Sequence, residues 1–307
     1  MKKLGILALL IALTGCAAPN VQLTRGGSAS YNAFSTLPTV SIPVKSKAQV
    51  NQLARMGIDI LEVKPTFVVA MVSPQIEKRL KEKGFTTSPI AVGTRQRNAF
   101  DRGYHTYQSM TEELKALAAK YPAICQLQDI GDSWEKTKNQ ADRDLWALKI
   151  TQGGGKKPAI LFDAGTHARE IATPELAFRL ATYLLEGYGK DPQVTKWVDT
   201  REIWIVPMAN PDGHARAEKG ANWRKNTNNT YGATSTYAPY GIGVDLNRNF
   251  GFQWGTAASD DPQDPTFQGP SPFSEPESQA IREFFKQQQI KVSLFLHSFS
   301  NLVLFPW

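Results

Sequence analysis

The sequence is poor in cysteine and histidine, with two and four of them in 307 residues. Two cysteines cannot build a disulfide framework, so stability has to come from a packed core. Long apolar runs are also lacking. Only Leu4–Leu13 stands out, and ten residues fall well short of the roughly 20 that a membrane-spanning helix needs. There is no basic stripe interleaved with aromatics, and a net charge of +7 is mild for this length, which speaks against a nucleic-acid-binding protein. The 41% hydrophobic and 21% charged content excludes a collagen-like or wholly disordered chain. The length allows one large domain or two.

What is present begins with an export signal. Lys2 and Lys3 precede the apolar run, and Thr14-Gly15-Cys16 follows it. Leu13-Thr14-Gly15-Cys16 resembles a bacterial lipobox. The resemblance implies cleavage after residue 15, lipidation of Cys16 and a stable membrane anchor. Ala17 after the cysteine leans toward the outer membrane by the same resemblance. A plain secretory signal with an incidental cysteine is the alternative, so the expected location is the bacterial cell envelope or the medium. Cys125 is left without a partner and reads as a small buried thiol in the apolar run Ala123–Leu127.

Residues 16–36, rich in Ser, Thr, Gly and Asn, read as a tether. Residues 37–92 alternate compactly. Strands are expected at Thr39–Val44, Ile58–Val63, Thr66–Val72 and Phe85–Ala91, and helices at Lys47–Met56 and Pro74–Lys83 before Gly84. That β-α-β-β-α-β order predicts a small ferredoxin-like α+β module. Residues 93–103 carry Arg95, Arg97, Asp101 and Arg102 and read as a protease-sensitive linker.

From residue 104 a larger α/β domain is expected. Ser109 and Glu112 form an apparent capping box opening a helix to Lys120, and Ser274 and Glu277 another opening a helix to about Gln289. Strands are expected at Leu145–Thr151, Ala159–Ala164 and Glu202–Met208, with a helix at Pro174–Glu186 and a long polar loop at Thr227–Gly243. Val292–Leu296 reads as a buried strand.

The densest chemistry is Gly165-Thr166-His167-Ala168-Arg169-Glu170, directly after an apolar strand. His167 and Glu170, three apart, can point the same way and fill two corners of a zinc tetrahedron. Alone, such a pair is weak evidence. His297, expected at a strand's carboxyl end, is the best third ligand, whereas His105 and His214 read as surface histidines in polar loops.

With these residues the chain resembles the zinc metallocarboxypeptidases of the carboxypeptidase A/B/T type. The likeness runs from about Tyr104 to Trp307. It rests on Thr166-His167-Ala168-Arg169-Glu170, Asn210-Pro211-Asp212-Gly213, Trp223-Arg224-Lys225, Val244-Asp245-Leu246-Asn247-Arg248-Asn249-Phe250, Gly269 to Glu277, and His297-Ser298-Phe299-Ser300, six blocks in the family's order. It implies a mixed-sheet domain with helices on both faces. It also implies one Zn2+ per chain held by His167, Glu170 and His297, with Asp245 orienting a ligand histidine. By the same resemblance Asn247 and Arg248 bind the substrate's terminal carboxylate, Arg224 stabilises the oxyanion, Arg169 lines the outer site, and Ser298 belongs to the substrate-binding set. The first module then reads as a propeptide. The implied partners are peptide or protein C-termini and, through Cys16, a membrane; a monomer is expected.

The resemblance also places a general-base glutamate and a substrate-covering tyrosine downstream of the third ligand. The sequence stops at Phe305-Pro306-Trp307, ten residues past His297. Glu275 and Glu277 sit in a helix-opening segment and are poor substitutes. The expectation is therefore a C-terminally truncated zinc carboxypeptidase, inactive as it stands. The alternatives are a non-catalytic zinc-dependent module that binds peptide C-termini and a peptidase acting on cell-wall stem peptides.

Overall fold

The computed structural model describes residues 38–90, 100, 103–231, 241–298 and 303–304. The export signal, the lipobox, the tether, most of the linker, the middle of the 227–243 loop and Phe299-Ser300 lie outside them. Among the described residues no helix is long and apolar enough to cross a membrane.

The N-terminal module runs β1 (Thr39–Pro43), α1 (Lys47–Arg55), β2 (Asp59–Val63), β3 (Phe67–Met71), α2 (Pro74–Glu82) and β4 (Ser88–Pro89). The four strands form one antiparallel sheet in the order β2-β3-β1-β4. Alternate residues of β1 and β3, among them Val40, Ile42, Val68 and Ala70, meet Leu53 and Leu80 of the two helices in one core. Ser46 and Ser73 cap the helices by accepting from the amides of Gln49 and Ile76, and Pro74 follows its cap at a position whose missing N–H costs nothing. The last strand is much shorter than the expected Phe85–Ala91. Among the described residues only Ser88 and Pro89 pair with β1, and the Ile90 amide adds one bond to the Thr39 carbonyl.

The larger domain carries a five-stranded mixed sheet, ordered β5-β6-β8-β7-β9. Its strands are β5 (Cys125–Asp132), β6 (Asp144–Ile150), β7 (Ala159–Asp163), β8 (Glu202–Val206) and β9 (Ile290–Phe295). β5, β6 and β8 pair antiparallel, and β7 runs parallel to both β8 and β9. Side chains alternate across β8. Ile203 and Ile205 face a core shared with α3 (Tyr107–Lys120), α5 (Ala172–Gly187) and α6 (Pro192–Thr200). Trp204 and Val206 face the other side, against Ile281 and Phe284 of α8 (Pro276–Gln288). Helices thus cover both faces, as expected. The short α4 (Trp134–Thr137) and α7 (Pro211–Glu218) complete the set.

Several local expectations are corrected. The capping box of α3 is Thr106 with Ser109, each side chain accepting from the other's backbone amide, so the helix opens earlier than the Ser109/Glu112 reading had it. α8 starts after Glu275 with no side-chain cap, because Ser274 donates to the Glu275 carboxylate and Glu277 accepts from the amide of Trp134. The strand at 290–295 is not buried; it is a sheet edge with Val292 and Leu294 exposed. β5, α6 and α7 escaped the sequence reading altogether.

Candidate metal centre and its arginines

Two parallel strands carry the site. β7 ends at Asp163, and Asp163 pairs with Phe295 of β9; the amide of Leu296 then donates to the Asp163 carbonyl at 2.8 Å. The ends of adjacent parallel strands therefore deliver the turn bearing His167 and the residue His297 to one place. Gly165 makes the first bend at φ +68°, where a Cβ would lie 3.1 Å from the Met208 Cα and the Pro207 carbonyl. Thr173, near the start of α5, ties the turn closed: its hydroxyl accepts from the Gly165 amide and donates to the Glu170 carbonyl, both at 3.0 Å. Asn210 holds the turn from the other side, donating to the carbonyls of Thr166 and Lys225.

The ligand atoms of His167, Glu170 and His297 lie within 4.8 Å of one another. His167 Nδ1 is 2.8 Å from Glu170 Oε1, and His297 Nδ1 is 3.0 Å from Glu170 Oε2. The opposite nitrogen of His167, Nε2, is 3.2 Å from Asp245 Oδ1. That carboxylate accepts a hydrogen bond from Nε2–H, the tautomer that leaves Nδ1 with a lone pair. A lone pair aimed at a carboxylate oxygen calls for a cation between them, and two imidazoles with one carboxylate are a zinc-type donor set. The residues therefore fit the ion that the family implies.

Asp245 is fully buried and caps the 3-10 turn Leu246–Arg248. Its Oδ2 accepts a forked pair from Arg224, Nε at 3.1 Å and a terminal nitrogen at 2.8 Å. Desolvation is overridden by Arg224 and His167, and the Asp245 carboxyl stays well below its ordinary value. The same turn presents Asn247 and Arg248, both half-buried. Asn249 locks its end: the amide nitrogen donates to the Gln268 and Ser271 carbonyls and the Ser274 hydroxyl, and the oxygen accepts from the Glu275 amide. Ser298 donates its amide to Glu170 Oε2 at 3.1 Å, so its backbone supports a ligand.

Arg169 and Arg224 also meet a residue that sequence reasoning did not single out. Asp59, the first residue of β2, accepts through one oxygen from both guanidinium groups, with Arg224 at 3.0 Å. Burial would raise its pKa, but the two arginines outweigh this and lower it. Met71, paired with Asp59 across β2 and β3, receives a further contact from Arg169 at its sulfur. A second anchor lies nearby, where Ser73 donates to buried Asp264 at 3.0 Å. No sequence signal marks Asp59, because its role exists only once the module is folded against the arginines.

Of the other histidines, His214 is buried in α7, with Nε2 3.0 Å from the His105 carbonyl. His105 is clasped by Glu175 at 2.8 Å. Neither is a surface residue, and neither joins the metal group. Glu275 and Glu277 are buried and spent on structure. Glu275 accepts from Asn226 and Asn228, and Glu277 from Asn226 and the Trp134 amide. Burial, with Glu275 adding repulsion, pushes the Glu277 carboxyl up to about 8.

A mixed sheet offering a His-x-x-Glu turn and a distant histidine at the ends of parallel strands defines a metallohydrolase-type centre. Comparison with known proteins fixes the group: the zinc carboxypeptidase family model (Peptidase M14) matches residues 110–307, and the chain belongs to that family. Mouse carboxypeptidase A2 is 35% identical over 207 residues, covering 66% of this chain and 46% of that protein. A zinc carboxypeptidase of Saccharothrix mutabilis subsp. capreolus is 27% identical over 328 residues, covering 96% of this chain and 72% of that one. Among solved structures, carboxypeptidase A of Helicoverpa armigera superposes with a TM-score of 0.66 at 25% identity, covering 88% of this chain and 71% of that one. The chain spans about half the length of the mammalian carboxypeptidases that it matches.

Proposed function

We propose that this protein is a zinc-dependent metallocarboxypeptidase that removes C-terminal residues from peptides or proteins outside the cytoplasm. The observation that carries the reading is the convergence of His167 Nδ1, His297 Nδ1 and the Glu170 carboxylate, with Asp245 behind His167. When bound, zinc polarises a scissile carbonyl and acidifies its water. The chain's own residues supply the rest. Asp245 fixes the His167 ring by holding its Nε2 proton. Arg224, fixed by its fork on Asp245, offers a preorganised positive charge for a developing oxyanion. Asn247 and Arg248 suit a free terminal carboxylate, with a guanidinium fork matching its plane. Among the described residues Glu170, Asp245 and Asp59 are all engaged by histidine or arginine, and Glu275 and Glu277 serve the core. This supports a second reading, a zinc-dependent module that holds peptide C-termini without cutting them.

The test uses peptides with free and amidated C-termini. Stepwise loss of terminal residues from the free form only, stopped by a chelator and restored by zinc, is the expected result. Zinc-dependent binding of the free form without hydrolysis favours the second reading. Release of residues from peptidoglycan fragments but not from simple peptides assigns the wall-peptide substrate. No zinc-dependent interaction with any of them refutes all three.

Residues 37–92 are read as a propeptide-type cover, supported by Asp59 seated on Arg169 and Arg224. Cutting within 93–103 should raise peptide hydrolysis or binding; no change would mean that the module is not inhibitory. The lipid anchor at Cys16 predicts an acylated, membrane-fraction protein that becomes soluble in Cys16→Ser. An unacylated mature protein would leave the plain secretory signal.

A further inference from the structure

We propose that Asp59, although it belongs to the N-terminal module, is a positioning residue of the metal centre, so that module docking and zinc affinity are coupled. The inference rests on the zinc-site reading above. Its basis is a continuous set of contacts. Asp59 accepts from Arg224 at 3.0 Å, and Arg224 forks onto Asp245 at 3.1 and 2.8 Å. Asp245 in turn lies 3.2 Å from His167 Nε2. Arg224 is thus shared between a carboxylate of the module and the carboxylate that orients a ligand. Asp59, Asp245, Arg224 and His167 are all buried, so solvent does not dilute the exchange.

The charge balance sets the direction. Arg169 and Arg224 are matched by Asp59 and Asp245 in one interconnected group. Neutralising Asp59 leaves an uncompensated guanidinium beside a site meant for a dication. It also leaves Arg224 wholly to Asp245, which then supports His167 less strongly. Both effects weaken zinc binding. Linkage makes the coupling reciprocal, so zinc must stabilise the docked module by the same factor.

Chelator competition on the full chain tests this. Asp59→Asn should bind zinc about tenfold more weakly than the unsubstituted chain, the lower range for groups that orient metal ligands. Its cobalt(II) derivative should show a shifted visible absorption band, which general loosening of the module would not produce. Ser73→Ala removes the other anchor, the bond to Asp264, without touching the arginines, and should leave both readouts unchanged. Equal zinc affinity in Asp59→Asn overturns the proposal, as does an equal loss in both variants. If Asp59→Asn does not fold, hydrogen exchange in the unsubstituted chain decides: zinc must slow exchange in Asp59–Val63 and Phe67–Met71, and unchanged exchange overturns the coupling. A chain that binds no zinc at all refutes the metal-site reading itself, an outcome distinct from zinc binding that is indifferent to Asp59.

Discussion

Asp163 sits at the end of β7, fully buried, four residues before His167. One carboxyl oxygen accepts from the Thr166 hydroxyl at 3.0 Å, and the other has no partner among the described residues. Burial therefore pushes its pKa up to about 7 from 3.8. A carboxyl raised on folding keeps its proton in the folded chain while the unfolded chain has lost it. Stability consequently falls as pH rises from about 4 to about 7 and is flat beyond. The rise of about three pKa units corresponds to about 4 kcal/mol. Asparagine has the same shape and no proton to lose. In Asp163→Asn its oxygen keeps the Thr166 bond, and its amide takes the unpartnered position at a pH-independent cost of about 1–3 kcal/mol. Urea unfolding of both proteins in the presence of a chelator, from pH 4 to pH 8, measures the difference. The variant should gain about 4 kcal/mol relative to the parent across that range, because groups common to both cancel. Parallel pH profiles would refute the reasoning, since Asp163 would then be ionised inside the folded chain at neutral pH.

Glu170→Gln removes the one anionic member of the ligand set. It should abolish stoichiometric zinc binding in a chelator competition while circular dichroism shows the fold retained. Gly243→Ala places a Cβ 2.1 Å from the Asn226 carbonyl at φ +88°, and should cost about 3 kcal/mol or more of stability in thermal or urea unfolding. Cys125 is buried and desolvation raises its thiol pKa to about 12, so a thiol reagent should modify it only after denaturation, as peptide mapping can show. Lys225 is buried with its amine on the Pro262 and Asp264 carbonyls, and burial lowers its pKa to about 7 from 10.5. The folded chain then holds fewer protons than the unfolded chain above pH 7. Lys225 therefore adds stability as pH rises toward 10.5, a component that should vanish in Lys225→Met.

The metal ligands were legible because each follows an apolar strand, and strand ends are where α/β sheets place functional residues. β7 and β9 both have that form. α6 and α7 were missed, although each starts with an N-cap residue before a first-turn proline, Asp191-Pro192 and Asn210-Pro211. β5 was harder: it is an outer strand pairing only with β6, and its mixed sequence, Cys-Gln-Leu-Gln-Asp-Ile-Gly-Asp, shows little of a buried strand's run. The burial expected of β9 was misjudged for the opposite reason. Its apolar composition looks buried, whereas its exposure depends on what lies beside it in the sheet. His214 misled because a polar neighbourhood in sequence says little about a helix whose buried face includes it. Asp59 was invisible because its meaning lies in a contact with residues 110 and 165 positions away.

The order of the residues along the chain has a consequence for biosynthesis. A nascent protein emerges N-terminus first, and folded units form as they leave the ribosome. The module, Arg169 and Arg224 are all made before His297, which follows Arg224 by 73 residues. β9, the strand that leads to His297, is made after β5 to β8 and pairs with β7 on the side away from β8. Asp59 can therefore reach its arginines while the metal site still lacks its third ligand.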